Sequence, residues 1–166
     1  MNSIPRSEHP KPQFRRDSWM NLNGQWAFEI DNGRSGKARG LNAMDAQLSG
    51  RIIVPFCPQS ELSGVNHKDF LSGVWYRRTF ELTKEQLSGR VALHFGAVDY
   101  RCEAFVNGVS VGTHTGGYVS FCFDVTEAVR EGENVLTVYA EDDERDPLIP
   151  RGKQSELFYS HGCDYT

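Results

Sequence analysis

The chain has 166 residues, enough for one domain and too few for two well-developed cores. It carries 18 Lys and Arg against 22 Asp and Glu, and the resulting net charge of −4 argues against a nucleic-acid module and a polybasic membrane surface. Ten Phe, six Tyr and three Trp supply enough apolar surface for a folded core, which argues against disorder of the whole chain.

No run reaches the roughly 18 apolar residues of a membrane span, and residues 1–16 lack the apolar centre of a secretory signal. The four cysteines are widely spaced and show no C-x-x-C pair and no zinc-ligand spacing. We therefore expect a cytoplasmic protein with free thiols and with neither metal nor cofactor. Cys102 and Cys122 lie in apolar runs and are predicted to be small core residues.

Apolar residues alternate with a period of two through most of the chain, which indicates half-buried strands. The runs cover residues 24–31, 74–80, 91–95, 102–106, 121–123 and 135–140. Asn107-Gly108 between two apolar runs predicts a tight hairpin, because a type I′ turn needs positive φ at both of its central residues.

Helix is predicted only as single turns at 83–87 and 126–130, and residues 43–48 are ambiguous. Short strands, glycine turns and the lack of crossover helices predict an all-β sandwich or barrel and exclude a βαβ fold. Residues 1–18 are predicted to form an extended arm, with residues 19–166 as the β domain.

The tryptophans are interpreted by their strand positions. Trp26 and Trp75 are predicted to lie in the core, and Trp19 is predicted to pin the arm onto the sandwich. Gly116-Gly117 is predicted to form a tight bend before a strand at Val119–Asp124, with a ligand-binding role as the alternative. No nucleophile elbow, phosphate loop or dinucleotide fingerprint is present.

Two acidic features remain as candidate sites. A run of acidic residues near the end of the last strand is predicted to be a solvated loop, with a calcium site as the alternative: Glu141, Asp142, Asp143, Glu144 and Asp146. Asp164 lies in a segment with His161 and Tyr165. Carboxylates beside aromatic rings are typical of sugar sites, but a plain loop aspartate remains open.

Five segments occur in an order that resembles a known family: HPKPQFRRDSWMNLNGQWAFEID, VPFCPQSELSGV, SGVWYRRTFEL, AFVNGVSVGTHTGGYVSFCFDVTEAV and NVLTVYAEDD. Together they are similar to the N-terminal sugar-binding domain of glycoside hydrolase family 2. This family includes β-galactosidases, β-glucuronidases and β-mannosidases. The resemblance covers nearly the whole chain and implies a jelly-roll β-sandwich of the galactose-binding-domain type.

The resemblance also implies a longer parent protein, in which an immunoglobulin-like domain and a TIM barrel follow this domain. The two catalytic glutamates of the family lie in the barrel, so we expect no catalytic residue in this segment. In the family, an Asp at the end of this domain binds sugar hydroxyls at the barrel mouth. The matching residue is Asp164, with His161 and Tyr165 as its neighbours.

We therefore expect a non-catalytic N-terminal domain of a retaining β-glycosidase of the β-galactosidase or β-glucuronidase type. It would support the barrel and contribute a loop to the substrate site. Its partners would be a β-glycoside and the downstream domains of the same chain. The alternatives are a stand-alone lectin-like carbohydrate-binding module and a domain whose main role is homo-oligomer assembly.

Overall fold

The computed structural model describes residues 4–143 and 146–149, and these residues are folded mainly as β-structure. Single 3₁₀ turns lie at Pro12–Phe14, Glu61–Ser63 and Gln86–Ser88. The described part of the chain contains eight strands: β1 Gly24–Ile30, β2 Gly50–Val54, β3 Val74–Leu82, β4 Ala92–Phe95, β5 Arg101–Val106, β6 Val109–Thr115, β7 Phe121–Asp124 and β8 Gly132–Glu141.

The strands form two antiparallel sheets, one of six strands in the order β2-β1-β3-β8-β5-β6 and one formed by β4 and β7. The long central pair, β3 and β8, runs in register from Val74 opposite Ala140 to Leu82 opposite Gly132. Aromatic side chains of the small sheet, including the stacked rings of Phe95 and Phe121, pack onto the core side of the large sheet. The predicted all-β class and jelly-roll sandwich are confirmed.

Most residues of the main core lie at alternating positions on the strands of the large sheet. Its buried members are Trp26, Phe28, Ile52, Leu71, Val74, Cys102, Val106, Val125, Leu136, Val138 and Ala140. The period of two explains this selection, because every second side chain of a strand points to the same face of the sheet. Trp26 lies in the core as predicted.

A second, smaller core lies on the opposite face of the large sheet. Trp75 is 1% exposed there and packs with Phe105 and Leu41. Residues 31–49, which connect β1 to β2, supply Leu41 and Leu48 to this cluster. Trp75 is therefore structural, as predicted, and residues 43–48 belong to a turn-rich cover rather than to a helix.

The β5–β6 hairpin forms at the predicted turn. Asn107 and Gly108 have φ of 52° and 83°, the left-handed region that this turn requires. Asn107 Nδ2 also donates to Asn134 Oδ1 at 2.9 Å, and Val135 N donates to Asn107 Oδ1 at 2.9 Å. The turn residue thus also ties the hairpin to β8. The helical turn predicted at 126–130 is a hydrogen-bonded turn and not a helix.

The cysteine prediction is correct at one strand position and wrong at the other. Cys102 is 3% exposed, and burial raises the pKa of its thiol to about 12. Cys122 is exposed, because Phe121 and Phe123 occupy the core-facing positions of β7 and place the residue between them on the solvent face. Cys57, Cys102 and Cys122 are free thiols, and Cys163 lies outside the described residues.

Polar contacts hold the N-terminal arm, of which residues 4–18 are described. Asn23 Nδ2 donates to Pro5 O at 3.1 Å, and Lys11 Nζ donates to Ser120 Oγ at 2.9 Å on the sandwich. The ring of Trp19 packs edge-on against His9 of the arm, with centroids 4.7 Å apart. This ring contact lies within the N-terminal segment, and a role for Trp19 in holding the arm to the sandwich stays a prediction.

A buried carboxylate anchors the segment that covers the second core. Asp31 is 3% exposed and accepts hydrogen bonds from Trp75 Nε1 at 2.9 Å and from Gly36 N at 2.7 Å. Burial disfavours the charged form, but these hydrogen bonds, one from Ser35 N and the charge of Arg39 outweigh it. They hold the pKa of Asp31 below its usual value.

We predict that Asp31→Asn destabilises the fold by about 1–3 kcal/mol, because one of the two acceptor oxygens becomes an NH2 group that faces N–H donors. The lowered pKa means that the wild-type contribution is present above about pH 4 and is lost as the pH falls through the folded-state pKa. Urea unfolding at several pH values should therefore show that the difference in unfolding free energy between the wild type and Asp31→Asn becomes smaller below pH 4. Asp17→Asn in the arm is the control, and equal stability of the two variants would contradict the prediction.

Candidate functional site at the exit end of the sandwich

Three segments meet at the end of the sandwich where the chain leaves β8. We call this region the exit end and define it by residues 99–100, 116–120 and 141–143. Backbone hydrogen bonds join the three segments: Tyr100 N donates to Glu141 O at 3.0 Å, and Gly116 N donates to Tyr100 O at 2.8 Å. The exit end is therefore fixed by the pairing of β5 with both β6 and β8.

The carboxyl group of Asp99 is packed against Gly117. A Cβ atom at position 117 would lie 2.2 Å from Asp99 Oδ1, so only glycine fits beside this carboxyl group. Gly116 has φ of 126°, and the chain bends at Gly117 before it enters β7. The predicted bend is confirmed, and the structure adds its reason, which is the close approach of Asp99.

Asp99 is a carboxyl group of the exit end whose pKa is raised. Burial and the charge of Asp142 together raise its pKa from the ordinary 3.8 to about 6. Both residues are half-buried, and each has a carboxylate oxygen shielded from solvent. Asp99 is thus a carboxyl group that takes up a proton near pH 6.

The acidic run beside this pair is not the solvated loop that the sequence predicts. Glu141, Asp142 and Asp143 are half-buried, and Arg34 forms ion pairs with Glu141 and Asp143. The hydrogen bond to Asp143 raises the pKa of the Arg34 guanidinium. The start of the acidic run is half-buried because the pairing of β8 with β3 and β5 holds it within the sandwich.

The described residues provide no set of ligands for the calcium site that was predicted as the alternative. Within them, no group of three or more His, Cys, Asp or Glu side chains is arranged to hold a metal ion. In the same residues, no helix is long and apolar enough to cross a membrane. Glu144 lies outside the described residues, and Asp146 accepts a hydrogen bond from Leu148 N at 2.9 Å.

The predicted site residues Asp164, His161 and Tyr165 lie outside the described residues, so their roles stay predictions. The structure does identify Asp99, which sequence reasoning missed. The only signal available was its place between two strand runs, ahead of the glycine pair at 116–117. Nothing in a single sequence shows that these two loops meet.

We predict that Asp99→Asn removes a pH dependence of stability. Because the folded-state pKa is raised, the stabilising effect of the proton is fully present below about pH 4 and is lost as the pH rises through about 6. Asp99→Asn should therefore be more stable than the wild type at pH 7.5, by about 1–2 kcal/mol after allowance for solvent screening. The two proteins should converge near pH 4.

Urea unfolding from pH 4 to 8 measures this difference. Asp17→Asn, in the exposed arm, serves as the matched control and should run parallel to the wild type at every pH. If the difference in unfolding free energy between the wild type and Asp99→Asn were the same at every pH, Asp99 would stay ionised over this range and the prediction would be wrong.

Comparison with known proteins places the chain in a family. Residues 19–143 match the profile of glycosyl hydrolases family 2, sugar binding domain. Beta-galactosidase BoGH2A from Bacteroides ovatus is 30% identical over 141 residues, which are 81% of this chain and 16% of that protein. A beta-glucuronidase from Paenibacillus borealis is 28% identical over 130 residues, which are 78% of this chain and 22% of that protein.

The fold is also found in solved structures. The beta-glucuronidase of Lactobacillus rhamnosus matches with a TM-score of 0.68 and 28% identity, over 75% of this chain and 21% of that chain. This chain thus spans less than a quarter of the length of each of these three proteins. The match over residues 19–143 covers most of the chain, which belongs to glycoside hydrolase family 2 as its sugar-binding domain.

Proposed function

We propose that this chain is the non-catalytic N-terminal domain of a retaining β-glycosidase of the β-galactosidase or β-glucuronidase type. It supports the catalytic barrel and contributes a loop with Asp164 to the substrate site. The family match over residues 19–143 carries the proposal. The greater length of the relatives supports it, because it leaves room for the catalytic domains.

The chemistry of the described residues supports a non-catalytic role. Retaining hydrolysis needs two carboxyl groups about 5–5.5 Å apart on either side of an accessible glycosidic bond. In the pair of Asp99 and Asp142, one carboxylate oxygen of each residue is shielded from solvent, and the Asp99 carboxyl group lies close to Gly117. We interpret Asp99 as a residue that packs within the exit end.

A substrate-binding role for Asp164 is consistent with the course of the chain. β8 ends at the exit end, and residues 150–166 follow it in the sequence. A carboxylate accepts hydrogen bonds from sugar hydroxyl groups, and each such charge-assisted bond is worth about 1.5–3 kcal/mol. One contact of this size cannot hold a monosaccharide alone, since millimolar affinity already requires about 4 kcal/mol. The barrel would complete the site.

We predict that the purified 166-residue chain does not hydrolyse aryl β-glycosides and binds simple sugars more weakly than millimolar. Nitrophenyl galactoside and glucuronide assays measure the first, and calorimetric titration measures the second. Turnover that survives repurification would contradict the proposal. Submillimolar sugar binding by this chain would instead favour the lectin-like module.

We predict that Asp164→Ala in the longer polypeptide lowers kcat/KM by roughly ten- to a hundred-fold, since about 1.4 kcal/mol corresponds to a factor of ten. The melting temperature should hardly change, because a loop carboxylate that binds substrate does not contribute to the core. Asp17→Ala is the control for a carboxylate far from substrate. A collapse of the melting temperature would make Asp164 structural, and no change in either quantity would remove it from the site.

A further inference from the structure

The sequence contains three Asn-Gly dipeptides, and the structure sets one of them apart. They are Asn23-Gly24, Asn32-Gly33 and Asn107-Gly108. An asparagine followed by glycine readily loses ammonia, because glycine has no side chain to hinder attack of its backbone nitrogen on the asparagine amide. In a folded protein, the reaction also requires that the asparagine side chain can approach that nitrogen.

Hydrogen bonds hold the side-chain amides of Asn23 and Asn107. Asn23 Nδ2 donates to Pro5 O at 3.1 Å and to Arg6 O at 3.2 Å. Asn107 Nδ2 donates to Ala128 O at 2.8 Å, in addition to the hydrogen bonds that tie this side chain to β8. Both asparagines are half-buried. The nitrogen that would leave as ammonia is therefore held in place at both positions.

Asn32 lies in an exposed β-turn, which the hydrogen bond from Arg34 N to Asp31 O closes at 2.9 Å. Asn32 Oδ1 accepts a hydrogen bond from Ser72 N at 3.0 Å. In the part of the chain that the structure describes, neither Asn32 Nδ2 nor Gly33 N has a hydrogen-bond partner. The amide nitrogen can therefore leave and the backbone nitrogen can attack. The donor on Oδ1 polarises the amide carbonyl, as a donor in an oxyanion hole does.

We propose that Asn32 is a site of spontaneous modification, at which the folded chain deamidates to aspartate and isoaspartate. Gly33 N forms a bond to Asn32 Cγ, and the Cγ–Nδ2 bond breaks. The amide group leaves as ammonia and takes the proton of Gly33 N with it. One water molecule then opens the succinimide ring at either carbonyl carbon, so the reaction needs no oxidant or cofactor. The inference does not depend on the proposed function.

Modification of Asn32 alters the turn that holds the cover of the second core. Asp31 accepts hydrogen bonds from Ser35 N at 3.0 Å and from Gly36 N at 2.7 Å. An isoaspartate at position 32 adds one backbone carbon between this carboxylate and its donors. The new negative charge also lies in the same turn as Arg34, which pairs with acidic residues at the end of β8. We therefore expect the modified chain to be less stable than the unmodified chain.

Peptide mapping by mass spectrometry, after incubation of the native 166-residue chain in mildly alkaline buffer, tests the inference. Asn32 should deamidate about tenfold faster than Asn23 and Asn107, because reaction at either of these internal controls must first break hydrogen bonds. In urea, the three asparagines should react at similar rates, since the fold no longer holds any of them. Equal rates in the native chain would overturn the inference. A preference for Asn32 that persists unchanged in urea would also overturn it, because the local sequence would then be the cause.

Gly33→Ala is the matched variant. A Cβ atom at position 33 would lie 3.9 Å from Ser35 Oγ, an ordinary van der Waals distance, so the variant should fold like the wild type. Its methyl group hinders attack by the backbone nitrogen and should slow deamidation of Asn32 about tenfold. An unchanged rate in Gly33→Ala would show that the reaction does not pass through the succinimide and would overturn the proposal.

Thermal unfolding measures the effect on the cover. After full conversion of Asn32, the wild-type chain should melt about 2–4 °C lower than before incubation. Gly33→Ala, incubated in the same way, should keep its melting temperature. Equal melting temperatures of the converted and unconverted wild type would contradict the inferred effect on the turn.

Discussion

The pairing of β3 with β8 is the interaction on which the other structural features depend. Nine residue pairs hold these strands together, and each strand then pairs with a further one, β1 or β5. Residues 134–138 of β8 are consecutively buried, so the strand is covered on both faces. The main core lies on one face and the Trp75 cluster on the other. Removing the central pair would expose both cores at once.

Packing of the strand ends also shields some carboxylates from solvent, and the pKa values of two of them shift in opposite directions. Asp31 meets Trp75 Nε1 and two backbone N–H groups, so its charged form is favoured despite burial. Burial and then the charge of Asp142 raise the pKa of Asp99 to about 6, so its charged form is disfavoured relative to an exposed aspartate. Both follow from the same physical rule, in which burial is costly for a charge unless donors replace water.

The exit end connects the fold to the function we propose. Its segments are joined by the hydrogen bonds of the β-sheet and sit beside an arm that exposes aromatic side chains. In the function we propose, the segment with Asp164 and then the catalytic domain follow this end along the sequence. A rigid sandwich suits this role, because a substrate-contacting loop is placed more precisely when the strand before it is fixed.

Local patterns in the sequence were sufficient for the hairpin and for all the described strands except β2, which was not predicted. The period of two identified the core faces of β1 and β8, and Asn107-Gly108 identified its turn, because both depend on neighbouring residues alone. The same pattern misplaced Cys122, since a run of apolar residues does not reveal which face a small sheet presents to solvent.

The candidate site depended on contacts between residues far apart in the sequence. Asp99 has a raised pKa because a loop before β5 meets the end of β8, and Arg34 pairs with Asp143 from more than a hundred residues away. A pattern of neighbouring residues carries no information on contacts between positions that lie so far apart in the sequence. The sequence by itself determined the all-β class, most of the strand positions and the family resemblance. Only the tertiary structure decided which carboxylates are buried, because burial depends on how strands from distant parts of the chain pack together.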